Sequence, residues 1–112
     1  MSSFLESLEN LNLPKVEPPR IPVSVSMVAD RLGMTVVLTS PSVPEQYEIS
    51  RGDKPCGYIR ARHGGMRVSY PDAGDEDLYE AAIDGFGGFT DHEREAKLLL
   101  ALALIAAKVL SE

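Results

Sequence analysis

Four side chains near the middle of the chain have the types and spacing to hold an anion. Tyr58, Arg60 and Arg62 recur at alternate positions, and Arg67 follows. A guanidinium grips a carboxylate or phosphate through two parallel N–H bonds, and a phenol ring adds a stacking surface. In an extended strand alternate residues share a face, so the first three would line one side. Arg67 joins them if the chain reverses at Gly64-Gly65. A two-residue turn there pairs His63 with Met66, Ala61 with Val68 and Ile59 with Tyr70 on one face. On the other it pairs Arg62 with Arg67 and Arg60 with Ser69. Apolar and polar residues then sort cleanly, and a one-residue slip would destroy the sorting. Like charges directly opposite each other are destabilising, so Arg62 and Arg67 need an anion between them. Glu48, Glu80 or the Asp72–Asp77 loop could supply it from within, or a ligand from outside.

Other chemistry is less well supplied. Cys56, His63 and His92 are the only cysteine and histidines, and none stands at a paired metal spacing. No metal or cofactor is expected. A Cys56–His63 nucleophile pair, as in a small hydrolytic or ligand-binding protein, would lack a third group to orient it. Gly85–Gly88 precedes a helix as a phosphate cradle would. No Lys-Ser/Thr follows it, and Asp91, Glu93 and Glu95 crowd the place an anion would take. The acidic residues Asp72, Asp75, Glu76 and Asp77, with Glu80, Asp84, Asp91, Glu93 and Glu95, could imitate a nucleic-acid phosphate array and occupy a basic site on another protein. They could equally be a solvated loop.

Val28-Ala29-Asp30-Arg31-Leu32-Gly33-Met34-Thr35 resembles the first helix and turn of helix-turn-helix DNA binders. The resemblance covers eight residues. It would imply a recognition helix next, where this chain has Val36-Val37-Leu38-Thr39, Pro41 and Pro44, which favour strand and loop.

Charge separates along the chain. Residues 23–70 carry six basic and four acidic groups, and residues 71–112 three and ten, within a net charge of −6. An acidic protein with one mildly basic hairpin is not built for direct nucleic-acid binding. A single cysteine suits a reducing compartment. The start lacks the basic and apolar regions of a signal peptide. The longest apolar run, Leu98–Ala107, falls short of the roughly 20 residues a bilayer requires. No membrane association is expected, and the cytoplasm is the expected location.

The elements follow from these patterns. Thr90-Asp91-His92-Glu93 reads as a capping box opening a long C-terminal helix. Leu98, Leu99, Leu102, Ile105, Val109 and Leu110 form a broad arc for packing on a sheet. Leu100 and Leu104, with Ala103 and Ala107 beside them, form a second ridge. An N-terminal helix bearing Phe4, Leu5 and Leu8 could cover that ridge, or a second subunit could. Leu13–Pro22 is a proline-rich tether. Val23–Gly33 fits two patterns: Val23, Val25 and Met27 alternate with Ser24 and Ser26 as in a strand, while Val25, Val28, Ala29 and Leu32 stand at helical spacing before Gly33. A short helix followed by strand Thr35–Thr39 is the favoured reading. Tyr47 and Ile49 alternate with Glu48 and Ser50, and Leu78–Ile83 is read as sending Tyr79, Ala81 and Ile83 to the core face and Glu80 to the outer face. Gly52–Pro55 is a turn. In Asp84–Phe89, three glycines are read as allowing positive φ, and Phe86 and Phe89 as anchors to the core.

The expectation is therefore a single α+β domain. Residues 1–22 hold a helix and tether, 23–89 are mainly β, and 90–112 form the C-terminal helix. An antiparallel meander of four to five strands is covered on one face by that helix. In function the chain reads as a small protein-binding module without catalytic activity, such as an adaptor, inhibitor or regulatory subunit. It would bind a partner through Tyr58, Arg60, Arg62 and Arg67 and form a homodimer through Leu100, Ala103, Leu104 and Ala107. The alternatives are the nucleic-acid mimic and the Cys56–His63 protein.

Overall fold

The computed structural model describes residues 21–41 and 44–112. Helix α1 (Val23–Arg31) leads into β1 (Thr35–Pro41). Strands β2 (Glu45–Arg51), β3 (Lys54–Arg62), β4 (Gly65–Tyr70) and β5 (Glu76–Ala82) follow, and α2 (Asp91–Leu110) closes the chain. The five strands form one antiparallel sheet in the order β1-β2-β3-β4-β5. Both helices lie on one face of it, giving the two-layer α+β architecture expected from the sequence. The expected helix around Phe4–Leu8 lies outside the described residues.

Helix α1 ends as the Gly33 pattern implies. Gly33 takes φ +72°, its N–H donates to Asp30 O, and Met34 N–H reaches back to Ala29 O. That is the Schellman arrangement, in which a left-handed residue lets the chain satisfy its last carbonyls. Val25 and Ala29 enter the core. The opposite side of α1 stays apolar and open: Val23 is 74% exposed and Met27 53%.

The cap of α2 is the box read in the sequence. The Thr90 hydroxyl accepts from Glu93 N–H, and the Glu93 carboxylate accepts from Thr90 N–H at 2.8 Å. The same carboxylate also accepts from the N–H groups of Asp84 (2.8 Å) and Gly85 (2.9 Å). Burial pushes its pKa up, but these bonds to the charged form prevail and hold it at about 2. Glu93 thus fastens the β5–α2 loop as well as the helix.

The buried stripe of α2 is Leu98, Ala101, Leu102 and Ile105, with Leu99 and Val109 partly covered. Leu110, assigned to this arc from the sequence, is 85% exposed, because the last turn runs past the packed part of the helix. Ile105 seats directly on the β3 backbone at Gly57. A Cβ on Gly57 would come within 2.4 Å of its terminal methyl, so the site takes no side chain. Polar contacts tie the far end of the helix to the sheet. Lys108 pairs with Glu76 at 3.0 Å, and Tyr70 donates to the Glu112 carboxylate at 2.6 Å.

The hairpin register differs from the one read in the sequence by two residues. Ala61 pairs with Met66, Ile59 with Val68, Arg60 with Arg67 and Arg62 with Gly65. The turn residues are His63 and Gly64, at φ +53° and +76°. Two consecutive positive φ values make a type I′ turn, whose twist matches the flanking strands. Because the shift is even, every residue keeps its face, but Arg67 stands opposite Arg60 instead of Arg62. The loop before α2 is a second correction. Its glycines do not take positive φ. A Cβ on Gly85 would lie 1.8 Å from Gly88 O, and one on Gly88 would lie 2.6 Å from Glu45 Oε1, so close approach is what requires glycine here. Phe89 is buried as expected, whereas Phe86 is 74% exposed and stacks on His63 at 5.4 Å.

The turn assignment separates two adjacent glycines. Gly64→Ala should cost about 1 kcal/mol, because it forces a side chain into the left-handed region. Gly65→Ala should cost less, because the added Cβ meets only ordinary contacts at 3.7 Å. Urea unfolding of the two variants checks this, and equal losses would place the turn elsewhere.

Candidate functional site: the outer face of the sheet

With both helices on one side, the other face of the sheet is set by the ladder register. One row across it runs Glu48–Tyr58–Ser69–Asp77. The next runs Gln46–Arg60–Arg67–Glu80, and a third Arg62–Gly65–Ala82. The alternation read in the sequence therefore brings Tyr58, Arg60, Arg62 and Arg67 to a single face.

Their electrostatic positions are unequal. Arg67 is matched from within: its Nη2 lies 2.6 Å and its Nε 2.7 Å from Glu80 Oε1, and Asp77 Oδ2 is 3.7 Å away. Arg60 and Arg62 have no carboxylate at ion-pair distance among the described residues. The one polar side-chain contact of Arg62 is to Nε2 of the neighbouring His63 at 3.3 Å. Glu80 thus settles the Arg60–Arg67 opposition by neutralising one member. A cleft of about 430 Å³ opens over this end of the face, lined by Arg60, Arg62, His63, Gly65, Arg67 and Glu80. Opposite Arg62 the ladder offers only Gly65 and then Ala82, so on that side nothing bulky flanks the guanidinium, while the His63 ring stands on the other.

Tyr58 sits at the other end, which is acidic. Burial raises its pKa, and Glu48 and Asp72 raise it further against the opposing pull of Arg60. A recess there is lined by Glu48, Asp53 and Asp72 among others. The loop after β4 leans over the face, so that Ala73, Gly74 and Asp75 share a second recess with Tyr58, Arg60, Arg67 and Asp77. Ser69 beneath it is buried and donates to Asp77 at 3.1 Å.

The structure does not bring Cys56 and His63 together. They stand at opposite ends of β3, about 20 Å apart at the usual rise of a strand. Cys56 is buried, and burial raises its thiol pKa, which disfavours the reactive thiolate. No cluster of three or more metal-ligating side chains occurs among the described residues. Among them, too, no helix is long and apolar enough to cross a membrane.

One polar centre has no counterpart in the sequence reading. Glu45 and Arg94, 49 residues apart, meet inside the protein. Arg94 Nε donates to Glu45 Oε2 at 2.8 Å and Nη2 to Oε1 at 3.0 Å, a bidentate pair. The Tyr47 hydroxyl also donates to Glu45, and burial with this bond raises its pKa far above the usual phenol range. Arg94 donates onward to Phe89 O at 2.9 Å and to Asp91. Each nitrogen of the Arg94 guanidinium and each oxygen of the Glu45 carboxylate has a partner, so this centre ties the helix to the sheet.

The ridge on α2 is also visible. Leu100 is 39% exposed, Leu104 is half-buried, and Ala103 and Ala107 are exposed. Comparisons of the chain with protein families, curated proteins and solved structures find no match.

The inequality among the arginines sets a stability test. Arg67→Gln strips Glu80 and Asp77 of their partner and should cost about 0.2–1 kcal/mol, the range for an exposed ion pair. Arg60→Gln removes a like charge facing Arg67 and should change stability by less than about 0.5 kcal/mol. Chemical denaturation decides, and a larger loss for Arg60→Gln would reveal an internal role for that residue.

Proposed function

We propose that the protein is a non-catalytic binding module for another protein, engaged through the outer face that carries Tyr58, Arg60, Arg62 and Arg67. One observation carries this reading. In a chain with 17 acidic and 11 basic residues, Arg60 and Arg62 stand beside an open cleft without a carboxylate partner among the described residues. An acidic protein can neutralise its arginines cheaply, as it does for Arg67 and Arg94, so two left unmatched on one face suit an external anion. Tyr58 marks the acidic boundary of that surface.

The mimic alternative draws less support. Glu76, Asp77, Glu80, Asp91 and Glu93 are each committed to an intrachain partner. Those charges are partly spent before any basic protein arrives. The cytoplasm remains the compartment that the single cysteine favours.

The test is comparative capture. Wild-type protein and the Arg60→Gln/Arg62→Gln variant are immobilised, exposed to lysate of the source cells, and compared by quantitative mass spectrometry. Proteins held by the wild type should be lost from the variant while its circular dichroism is unchanged. Equal retention by both would overturn the reading.

The module is also proposed to be a homodimer through Leu100, Ala103, Leu104 and Ala107. Small residues beside two leucines allow a second helix to approach closely, and an isologous contact needs only this one ridge. Fully burying a leucine is worth about 1.5–3 kcal/mol. Light scattering at micromolar concentration should give twice 12.2 kDa, and Leu100→Glu/Leu104→Glu should yield a folded monomer. A wild-type mass near 12.2 kDa would refute the dimer.

A further inference from the structure

The outer face also restricts what its partner can present. We infer that it takes an extended peptide segment with acidic side chains at alternate positions, Asp/Glu-x-Asp/Glu, laid along β3 so that one carboxylate meets Arg60 and the next meets Arg62. This rests on the protein-binding reading above and specifies its chemistry.

Spacing is the first argument. Arg60 and Arg62 are two residues apart on one strand and share a face. Their Cα atoms are therefore separated by about 6.6–6.8 Å, the two-residue repeat of any extended chain. Acidic residues at i and i+2 of an extended partner recur at the same interval on one side. Adjacent acidic residues would point to opposite sides and could use only one guanidinium.

Capacity is the second. Of the three arginines on the face, Arg67 is already occupied by Glu80 and Asp77, so the surface has room for two negative charges. Beyond them the surroundings repel anions. Glu80 closes one flank of the cleft, and Glu48, Asp53 and Asp72 occupy the far end of the face. A nucleic acid places a phosphate at every residue and would run into these carboxylates. A short acidic peptide can end before it meets them.

The chain already shows the mode of recognition. Arg67 on β4 is gripped by Glu80 of the neighbouring antiparallel strand, a carboxylate presented by extended backbone. Arg60 and Arg62 would meet such carboxylates from over the face, since β3 already has a strand on each side. The cleft gives access, and Gly65 and Ala82 leave the Arg62 side open.

The experiment uses the full chain, labelled with ¹⁵N, and three probes. Two are twelve-residue Ser/Thr/Gly peptides with a pair of glutamates, at i and i+2 in one and at i and i+1 in the other. The third is a twelve-residue oligothymidylate. The alternating peptide should shift the Arg60 and Arg62 Nε–H signals and the Gly65 amide. It should bind about two- to fivefold tighter than the adjacent-glutamate peptide, since one exposed charge pair is worth up to about that factor. Arg60→Gln and Arg62→Gln should each remove this preference. Equal affinity for the two peptides, tighter binding of the oligonucleotide, shifts confined to other residues, or no binding would overturn the inference. If the peptides fail while lysate capture still depends on Arg60 and Arg62, the inference falls and the protein-binding reading stands. If capture is also independent of them, both fall.

Discussion

The buried ion pair between Glu45 and Arg94 fixes how the two layers meet. It joins the first residue of β2 to the first turn of α2, so the helix can cross the sheet in only one place. Taking two charges out of water costs several kcal/mol for each, and the cost is offset only when geometry and remaining hydrogen bonds are satisfied. Here Tyr47, Asp91 and Phe89 O complete the set. The neighbouring loop is shaped around it. Gly88 has no side chain because Glu45 fills that space, and Gly85 has none because the loop folds back on Gly88 O. Glu93, one residue before Arg94, collects three backbone N–H groups and locks the loop to the helix start.

Once α1 and α2 cover one face, the polar side of every strand is left to the other. The acidic excess is then used locally. Glu80 and Asp77 serve Arg67, Glu76 serves Lys108, and Glu45 with Asp91 serves Arg94. Among the described residues, Arg60 and Arg62 fall outside this arrangement. The His63-Gly64 turn sets Arg62 against Gly65 and Arg60 against Arg67, whose own carboxylate lies on its far side. With the turn at Gly64-Gly65, Arg62 instead of Arg60 would face Arg67, and Glu80 would again lie on the far side of Arg67.

What could be read from the sequence divides along physical lines. The meander, the faces of its strands and the capping box of α2 depend on alternation and local hydrogen bonding, which act within a few residues. The hairpin faces survived a wrong turn because strand parity is insensitive to an even shift. The turn itself was obscured because Gly64-Gly65 has the more permissive backbone, whereas His63 takes a left-handed φ that few side chains adopt. Its N–H donates to Phe86 O and its ring stacks on Phe86, contacts from a loop more than 20 residues away. That contact also explains why Phe86 lies outside the core. The Glu45–Arg94 pair had no local signal, since Arg94 stands in a polar helix start and Glu45 beside a proline. The candidate residues Tyr58, Arg60, Arg62 and Arg67 are legible as a face, but their inequality is not, because it depends on which carboxylate lands beside which arginine.

Among the described residues, carboxylates hold Arg67 and Arg94 but not Arg60 and Arg62, and the proposed function depends on that difference. Nitrogen-detected NMR of the arginine side chains tests it directly, because rotation about the Nε–Cζ bond slows when a guanidinium is held by carboxylates. In the unliganded protein Arg94 should show the slowest rotation and Arg67 an intermediate one. Arg60 and Arg62 should rotate as freely as arginine in a short peptide. Restricted rotation at Arg60 and Arg62 in the protein alone would contradict the account, because it would mean that their anion is supplied from within.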